Sequence, residues 1–367
     1  MKQLRSTLKF VGRFEGLGVA GVLAVLYAVF IMTSPDVFTK PRIYTSFMQT
    51  VSPQLIIALG LTFVITAGEI DLSFPAVVAL AGFTFSWCYQ NIDASWGPWL
   101  GLSLAIFVGA GVGLINGWIV AGIGVPSIMA TLVAQFFWYG VTILLADGRQ
   151  IALKEIRDQP IYEVFVGRIN GILPDQRGVP VGLPSQALWA LGLTILMWFI
   201  LNRHKFGEAV LFIGDNADVA RVMGIKVETT RIQLFVMMGA MSAFAGVLVT
   251  LENWVFYPTQ GEGYLLPVMS AVFIGGTSFA GGQGAIVGSL FGAYIIGSLA
   301  AGVVASGIRG YWVQLVQGLV MAASVILNVL VGEGRMAGLS ERLRHWGVPV
   351  GTGSSSTREP TPTDAAD

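Results

Sequence analysis

FMQTVSPQLIIALGLTFVITA at 47–67, GEIDLS at 68–73 and FPAVVALAGFTFSWCYQ at 74–90 read as one unit, two apolar runs joined by a short polar turn that carries Glu69 and Asp71. Each run is close to the ~20 residues that cross a bilayer core, and neither contains a Lys, Arg, Asp or Glu. Further charge-free runs fall at 17–33, 99–121, 125–146, 186–202, 233–251, 265–280, 285–306 and 311–331. This partition predicts an all-α membrane protein, a polytopic helical bundle of about ten transmembrane segments. The run at 265–280 contains Pro267 and Gly275-Gly276 and is expected to be broken or re-entrant.

Composition agrees. Of 367 residues 54% are apolar and 11% charged, against roughly 25% charged in a soluble domain. A formal net charge of +0 offers no basic field for nucleic acid. The single Cys88 has no second thiol for a disulfide or a shared metal. The run at 17–33 follows Lys2, Arg5, Lys9 and Arg13 and lacks a small-residue cleavage site, so it reads as an uncleaved first span. With the N-terminus inside, about 13 Lys and Arg fall on the cytoplasmic side and about 8 outside, the bias of the positive-inside rule. Both termini are therefore expected in the cytoplasm. The domains expected are an N-terminal arm at 1–16, a transmembrane domain at 17–331 with an external loop at 147–185 and a cytoplasmic loop at 203–232, and a polar, largely disordered tail at 332–367.

No G-x-x-x-x-G-K-[ST] phosphate loop occurs, so ATP-driven work would need a separate polypeptide. Gly281-Gly282-Gln283 faintly resembles part of an ATPase signature and is read as coincidence. Ion coupling usually needs ionisable groups inside the membrane, and Glu69, Asp71 and Glu252 lie at the edges of runs. His204 and His345 have no partners at nucleophile or metal-ligand spacing. The chain is expected not to be an enzyme, to bind no metal and to have no catalytic residues.

Of the 47 glycines, Gly109, Gly113 and Gly117, and again Gly284, Gly288 and Gly292, recur every four residues. Such ridges let two helices approach closely. In the turn, Gly68 ends the preceding helix, Asp71 or Ser73 can cap the next one, and Pro75 suits its first turn. Asn216, Ala217, Ala220, Arg221 and Gly224-Ile225 read as a short cytoplasmic helix ended by glycine.

The turn, together with three further strings, resembles the permease subunits of bacterial ABC importers for simple sugars of the ribose, xylose and arabinose type. That family's turn usually reads Gly-Gly-Ile-Asp-Leu-Ser. The other strings are Leu114-Ile115-Asn116-Gly117 with Val125-Pro126-Ser127-Ile128-Met129-Ala130-Thr131-Leu132, Gly214-Asp215-Asn216 with Ala220-Arg221 and Gly224-Ile225, and Gly275-Gly276-Thr277-Ser278-Phe279-Ala280-Gly281-Gly282. Glu69 stands where the family usually has Gly, the loop at 147–185 is longer than typical, and the tail has no counterpart.

The resemblance implies a permease that works as a dimer with a second copy or a related permease. It also implies a partner ABC ATPase carrying ATP and Mg, and a periplasmic or surface sugar-binding protein that lands on 147–185. Gly214, Asn216, Ala220, Arg221, Gly224 and Ile225 would couple to the ATPase, and Gly68, Glu69, Asp71 and Ser73 would form a gating turn. A neutral sugar calls for uncharged hydrogen-bonding groups and aromatic faces. Gln314, Gln317, Ser324 and Asn328 fall within roughly one quadrant of a helix at about 100° per residue. Ser127, Thr131, Gln135, Tyr139 and Thr142 likewise share a side. Asn116, Ser127, Thr131, Gln135, Gln314, Gln317 and Asn328 are the expected pathway residues, and Trp138, Trp254, Tyr257, Tyr311 and Trp312 the expected interfacial anchors. The alternatives are an ion-coupled transporter or channel, a membrane scaffold, and an ABC permease for nucleosides or branched-chain amino acids.

Overall fold

The computed structural model describes residues 16–174, 180–307 and 309–332, and there every charge-free run forms a helix. In chain order these are α1 (Leu17–Thr33), α2 (Pro41–Thr66), α3 (Phe74–Asn91), α4 (Gly97–Gly117), α5 (Ser127–Leu145) and α6 (Ser185–Arg203). After them come α7 (Lys205–Asp215), α8 (Ala217–Val222), α9 (Val227–Asn253), α10 (Leu265–Ile274), α11 (Ile286–Ala305) and α12 (Trp312–Gly332). A π-helical turn, Trp118–Ile123, prolongs α4. Six of them are long and apolar enough to cross a membrane: α2, α4 with its π turn, α5, α6, α9 and α11. The expected arm and tail lie almost wholly outside the described residues. Contacts group 1–328 into one unit and 329–367 into a second, of which only the four residues ending α12 are described.

Three boundaries differ from expectation. Helix α2 begins at Pro41, because proline at the first helical position has no amide to leave unpaired. Helix α9 begins at Val227, so Glu228 and Arg231 belong to the helix rather than to the loop before it. Helix α10 stops at Ile274, giving 10 residues and about 15 Å of rise, half of a bilayer core. Gly276, at φ 95°, turns the chain out of it.

The fold is not purely helical. Strand β1 (Ile151–Ala152) pairs antiparallel with β4 (Val255–Phe256), and β2 (Arg168–Pro174) with β3 (Pro180–Pro184). The expected loop at 147–185 is thus partly built structure. Its Arg157 guanidinium lies 3.2 Å from the ring centre of Trp254, and the Trp254 indole N–H donates to Tyr162 Oη at 3.3 Å. Trp254, expected as a membrane anchor, is engaged by the loop.

Helix α9, 27 residues and about 40 Å long, packs against α2, α3 and α4. Lipid is as apolar as these side chains, so close packing and hydrogen bonding hold such helices together more than solvent exclusion does. Both glycine ridges serve this packing inside one chain. Gly109, Gly113 and Gly117 of α4 face Gly239, Phe235 and Ile232 of α9, so closely that a Cβ would meet backbone. Gly288 and Gly292 of α11 face Gly275 and Ala271 in the same manner, while Gly284, just before α11, faces Thr66.

Candidate functional site

Between α2 and α3 the chain forms neither helix nor strand through Glu69–Ser73 and leaves backbone groups to be satisfied by other elements. Gly68, at φ 78°, ends α2, with its amide on Ile65 O and that of Glu69 on Val64 O. The Ile70 amide donates to Ser127 Oγ at 3.1 Å, and the Leu72 amide to Thr131 Oγ1 at 3.0 Å. Asp71 Oδ1 accepts from the Ser73 amide at 2.8 Å and from Ser73 Oγ at 2.6 Å. Asn116 Nδ2 donates to Ser73 Oγ at 2.8 Å. Glu69, Asp71 and Ser73 are buried, although they stand at the ends of apolar runs.

This geometry corrects the expected cap and gives three path candidates partners in the turn. Asp71 closes a turn on Ser73 itself, and Ser73, the residue before α3, makes no side-chain cap to the helix. Asn116, Ser127 and Thr131, expected along the solute path, are buried and direct their side chains at residues 70–73. Seen alone, a Ser and a Thr four residues apart at a helix start fit either role.

The other pathway candidates are dispersed. Gln135 is half-buried one turn beyond Thr131, Gln317 is half-buried and Gln314 exposed. The side chain of Asn328 lies outside those described. Helix α5 packs mainly on α3, and α5 with α12 is not one of the principal packed pairs.

The coupling segment is two helices rather than one. Helix α7 differs from expectation; its signal is faint because the run from Phe206 to Ile213 is short and interrupted by Gly207 and Glu208. Asn216 Oδ1 accepts from the amides of Asp218 and Val219 at 3.0 and 3.1 Å and starts α8. Gly224, at φ 87°, ends it, and the Ile225 amide returns to Ala220 O at 3.0 Å. Ala220 is buried, whereas Val219, Val222 and Met223 are exposed, Val222 almost fully at 89%. Arg221 pairs with Asp218 at 2.9 Å and with Glu228 at 2.8 Å. The hydrogen bond and charge of Glu228 raise the Arg221 pKa above its ordinary value, so the guanidinium stays charged.

The segment meets the turn through backbone. Gly214 lies so close to Thr66 O and the Gly282 amide that no side chain fits, and the Gly282 amide donates to Thr66 O at 2.9 Å. Gly281, at φ 87°, packs on Gly68 and on Gly214 O. The end of α2, the end of α7 and the turn before α11 thus share one joint. A second connection is ionic: Arg231 Nε lies 3.0 Å from Glu69 Oε1.

A bundle of long apolar helices, six of them long enough to cross a bilayer, with a buried polar turn joined to the α7–α8 pair through Gly214 and Thr66, is a polytopic helical membrane protein. The family model described as branched-chain amino acid transport system / permease component matches residues 43–325, and the chain belongs to that family. It is 31% identical over 307 residues to the ribose import permease protein RbsC of Escherichia coli (strain K12), covering 83% of this chain and 91% of that one. To RbsC of Bacillus subtilis (strain 168) it is 31% identical over 322 residues, 88% and 95% of the two chains. To the L-arabinose ABC transporter permease protein AraH of Azospirillum brasilense it is 28% identical over 313 residues, 85% and 86%. No solved structure matches. The chain is a multi-pass permease component of a bacterial ABC importer of the inner membrane, a transport subunit rather than an enzyme.

Proposed function

We propose that the chain forms its share of a path for a monosaccharide or similar small polyhydroxy solute, driven by a separate ATPase. The relatives named for ribose, L-arabinose and D-allose support a sugar over the branched-chain amino acids of the family description. One named for autoinducer 2 widens the class beyond simple sugars. In this reading about ten segments form the membrane bundle, the one at 265–280 broken after α10, with both termini in the cytoplasm. The permease pairs with a second copy or a related permease, and a binding protein delivers solute to 147–185. ATP and Mg belong to the ATPase.

The observation that carries the mechanism is the joint at Gly214, Thr66 and Gly282. ATP binding and hydrolysis displace the ATPase against the exposed apolar tip of α8, with Val219, Val222 and Met223 as its contact. Because Gly214 has no slack against Thr66, the displacement reaches the end of α2 and the gating turn Gly68, Glu69, Asp71 and Ser73. Asn216, Ala220, Arg221, Gly224 and Ile225 keep α8 rigid enough to transmit it. Asn116, Ser127 and Thr131 hold the turn to α4 and α5, and Gln135, Gln314, Gln317 and Asn328 are the proposed contacts with solute.

The test is reconstitution of the permease with an ATPase and a solute receptor in vesicles, with a panel of pentoses, hexoses, polyols and nucleosides. Accumulation that needs ATP and the receptor is the expected result. Accumulation by the permease alone, abolished by a proton or sodium uncoupler, would instead establish an ion-coupled transporter.

A further inference from the structure

Alternating charges run from the tip of the coupling helix to the buried turn. Asp218 and Arg221 of α8 lie 2.9 Å apart, and Arg221 and Glu228 of α9 2.8 Å apart. Glu228 and Arg231 stand three residues apart on α9, hence on one face. Arg231 Nε lies 3.0 Å from Glu69 Oε1. Side-chain exposure falls along this line, from 92% at Asp218 and 51–53% at Arg221 and Glu228 to 26% at Arg231 and 11% at Glu69. Water screens the outer pairs more than the inner one.

Glu69 is badly placed without a cation. It follows the C-terminal end of α2, where the helix dipole is negative and a carboxylate is disfavoured, and it is buried. Arg231 is the basic side chain paired with it among the described residues. Its Nε–H is not aligned for a hydrogen bond, so charge rather than direction holds the pair and lets the two elements pivot on each other. Beyond Glu69, the amides of Ile70 and Leu72 are tied to Ser127 and Thr131 at the start of α5, the least buried of the long helices.

We propose that Arg231 and Glu69 are positioning residues that form an ionic strut between the start of α9 and the gating turn. A displacement of α8, passed through Glu228 to α9, then pulls the turn and the clamped end of α5 with it. This inference rests on the coupling role given to α8 above.

The experiment measures solute moved per ATP hydrolysed in vesicles holding the permease with its ATPase and receptor. Glu69→Gln and Arg231→Gln are expected to lower that ratio roughly tenfold, within the range for residues in direct contact. The charge exchange Glu69→Arg with Arg231→Glu is expected to restore most of it. If a single change fails to assemble because it strands a buried charge, the double change Glu69→Gln with Arg231→Met removes both charges at once, and it too is expected to couple poorly. A parental ratio in the single or the neutral double variants, or an exchange no better than the worse single change, would overturn the strut. Cross-linking of Val222→Cys to the ATPase separates the two ideas. Cross-linking with normal coupling in the Glu69 variants removes the strut alone; no contact between α8 and the ATPase removes the coupling role itself.

Discussion

Gly214 and the carbonyl oxygen of Thr66 touch with no room for a side chain between them, although 148 positions separate them in the chain. One lies on a helix outside the long apolar runs and the other in the last turn of the buried helix α2. A backbone contact of this kind transmits displacement better than two flexible side chains, because neither partner can change rotamer to absorb it.

Gly214→Ala tests the contact. In a helix interior the change alone would favour stability by about 1 kcal/mol, but here the added methyl must separate two backbones, typically at a cost of about 1–3 kcal/mol. The expected result is a lower thermal midpoint and slowed uptake. The matched change Gly192→Ala on α6, where a Cβ meets open space, is expected to be neutral or stabilising. A midpoint raised equally by both would remove the joint from the mechanism.

Thr131→Val keeps the shape of the side chain and deletes the hydroxyl that the Leu72 amide uses. A buried amide left without a partner costs about 1–3 kcal/mol. Ser127→Ala does the same to Ile70. Both are expected to lower the unfolding midpoint in detergent, whereas Gln135→Ala is expected to leave it in place and alter uptake. If Thr131→Val were as stable as the parent and changed only solute preference, Thr131 would belong to the path after all.

These two hydroxyls show what was legible and what was not. The helices could be read because a run of about 20 uncharged residues has few other uses, and α8 because Asn216 and Gly224 mark its two ends locally. The partners of Ser127 and Thr131 lie 57 and 59 residues away, and nothing within the helix distinguishes a hydroxyl aimed at solute from one aimed at backbone. Burial of Glu69 and Asp71 was hidden for the same reason. Position at the end of an apolar run suggested an aqueous edge, whereas α9 begins early enough to bring Arg231 against Glu69.

Gly224 closes α8 in the left-handed region, where a residue with a Cβ costs roughly 1–2 kcal/mol. Gly224→Pro is incompatible with that angle and with the amide that donates to Arg221 O, so the end of α8 must rearrange. Expected is loss of transport with normal membrane insertion, since residue 224 lies outside the long apolar helices. Arg221→Glu, which sets three carboxylates together with Asp218 and Glu228, is expected to act in the same direction. Transport at the parental rate in both would show that α8 does not carry the power stroke.

The ridge on α4 gives a contrast within a single helix. Gly113 faces the Phe235 carbonyl of α9 with no space for a Cβ, while Gly111, two residues earlier, faces open space. Because packing rather than solvent exclusion holds membrane helices together, separating α4 from α9 at this point removes contacts that lipid does not replace with equal density. Gly113→Val is therefore expected to reduce the amount of folded permease recovered from membranes and to lower its unfolding midpoint. Gly111→Val carries the same change in helix propensity and is expected to fold as the parent does. Equal loss in the two would mean that valine acts through the helix itself, and equal tolerance would mean that α4 and α9 do not meet at Gly113.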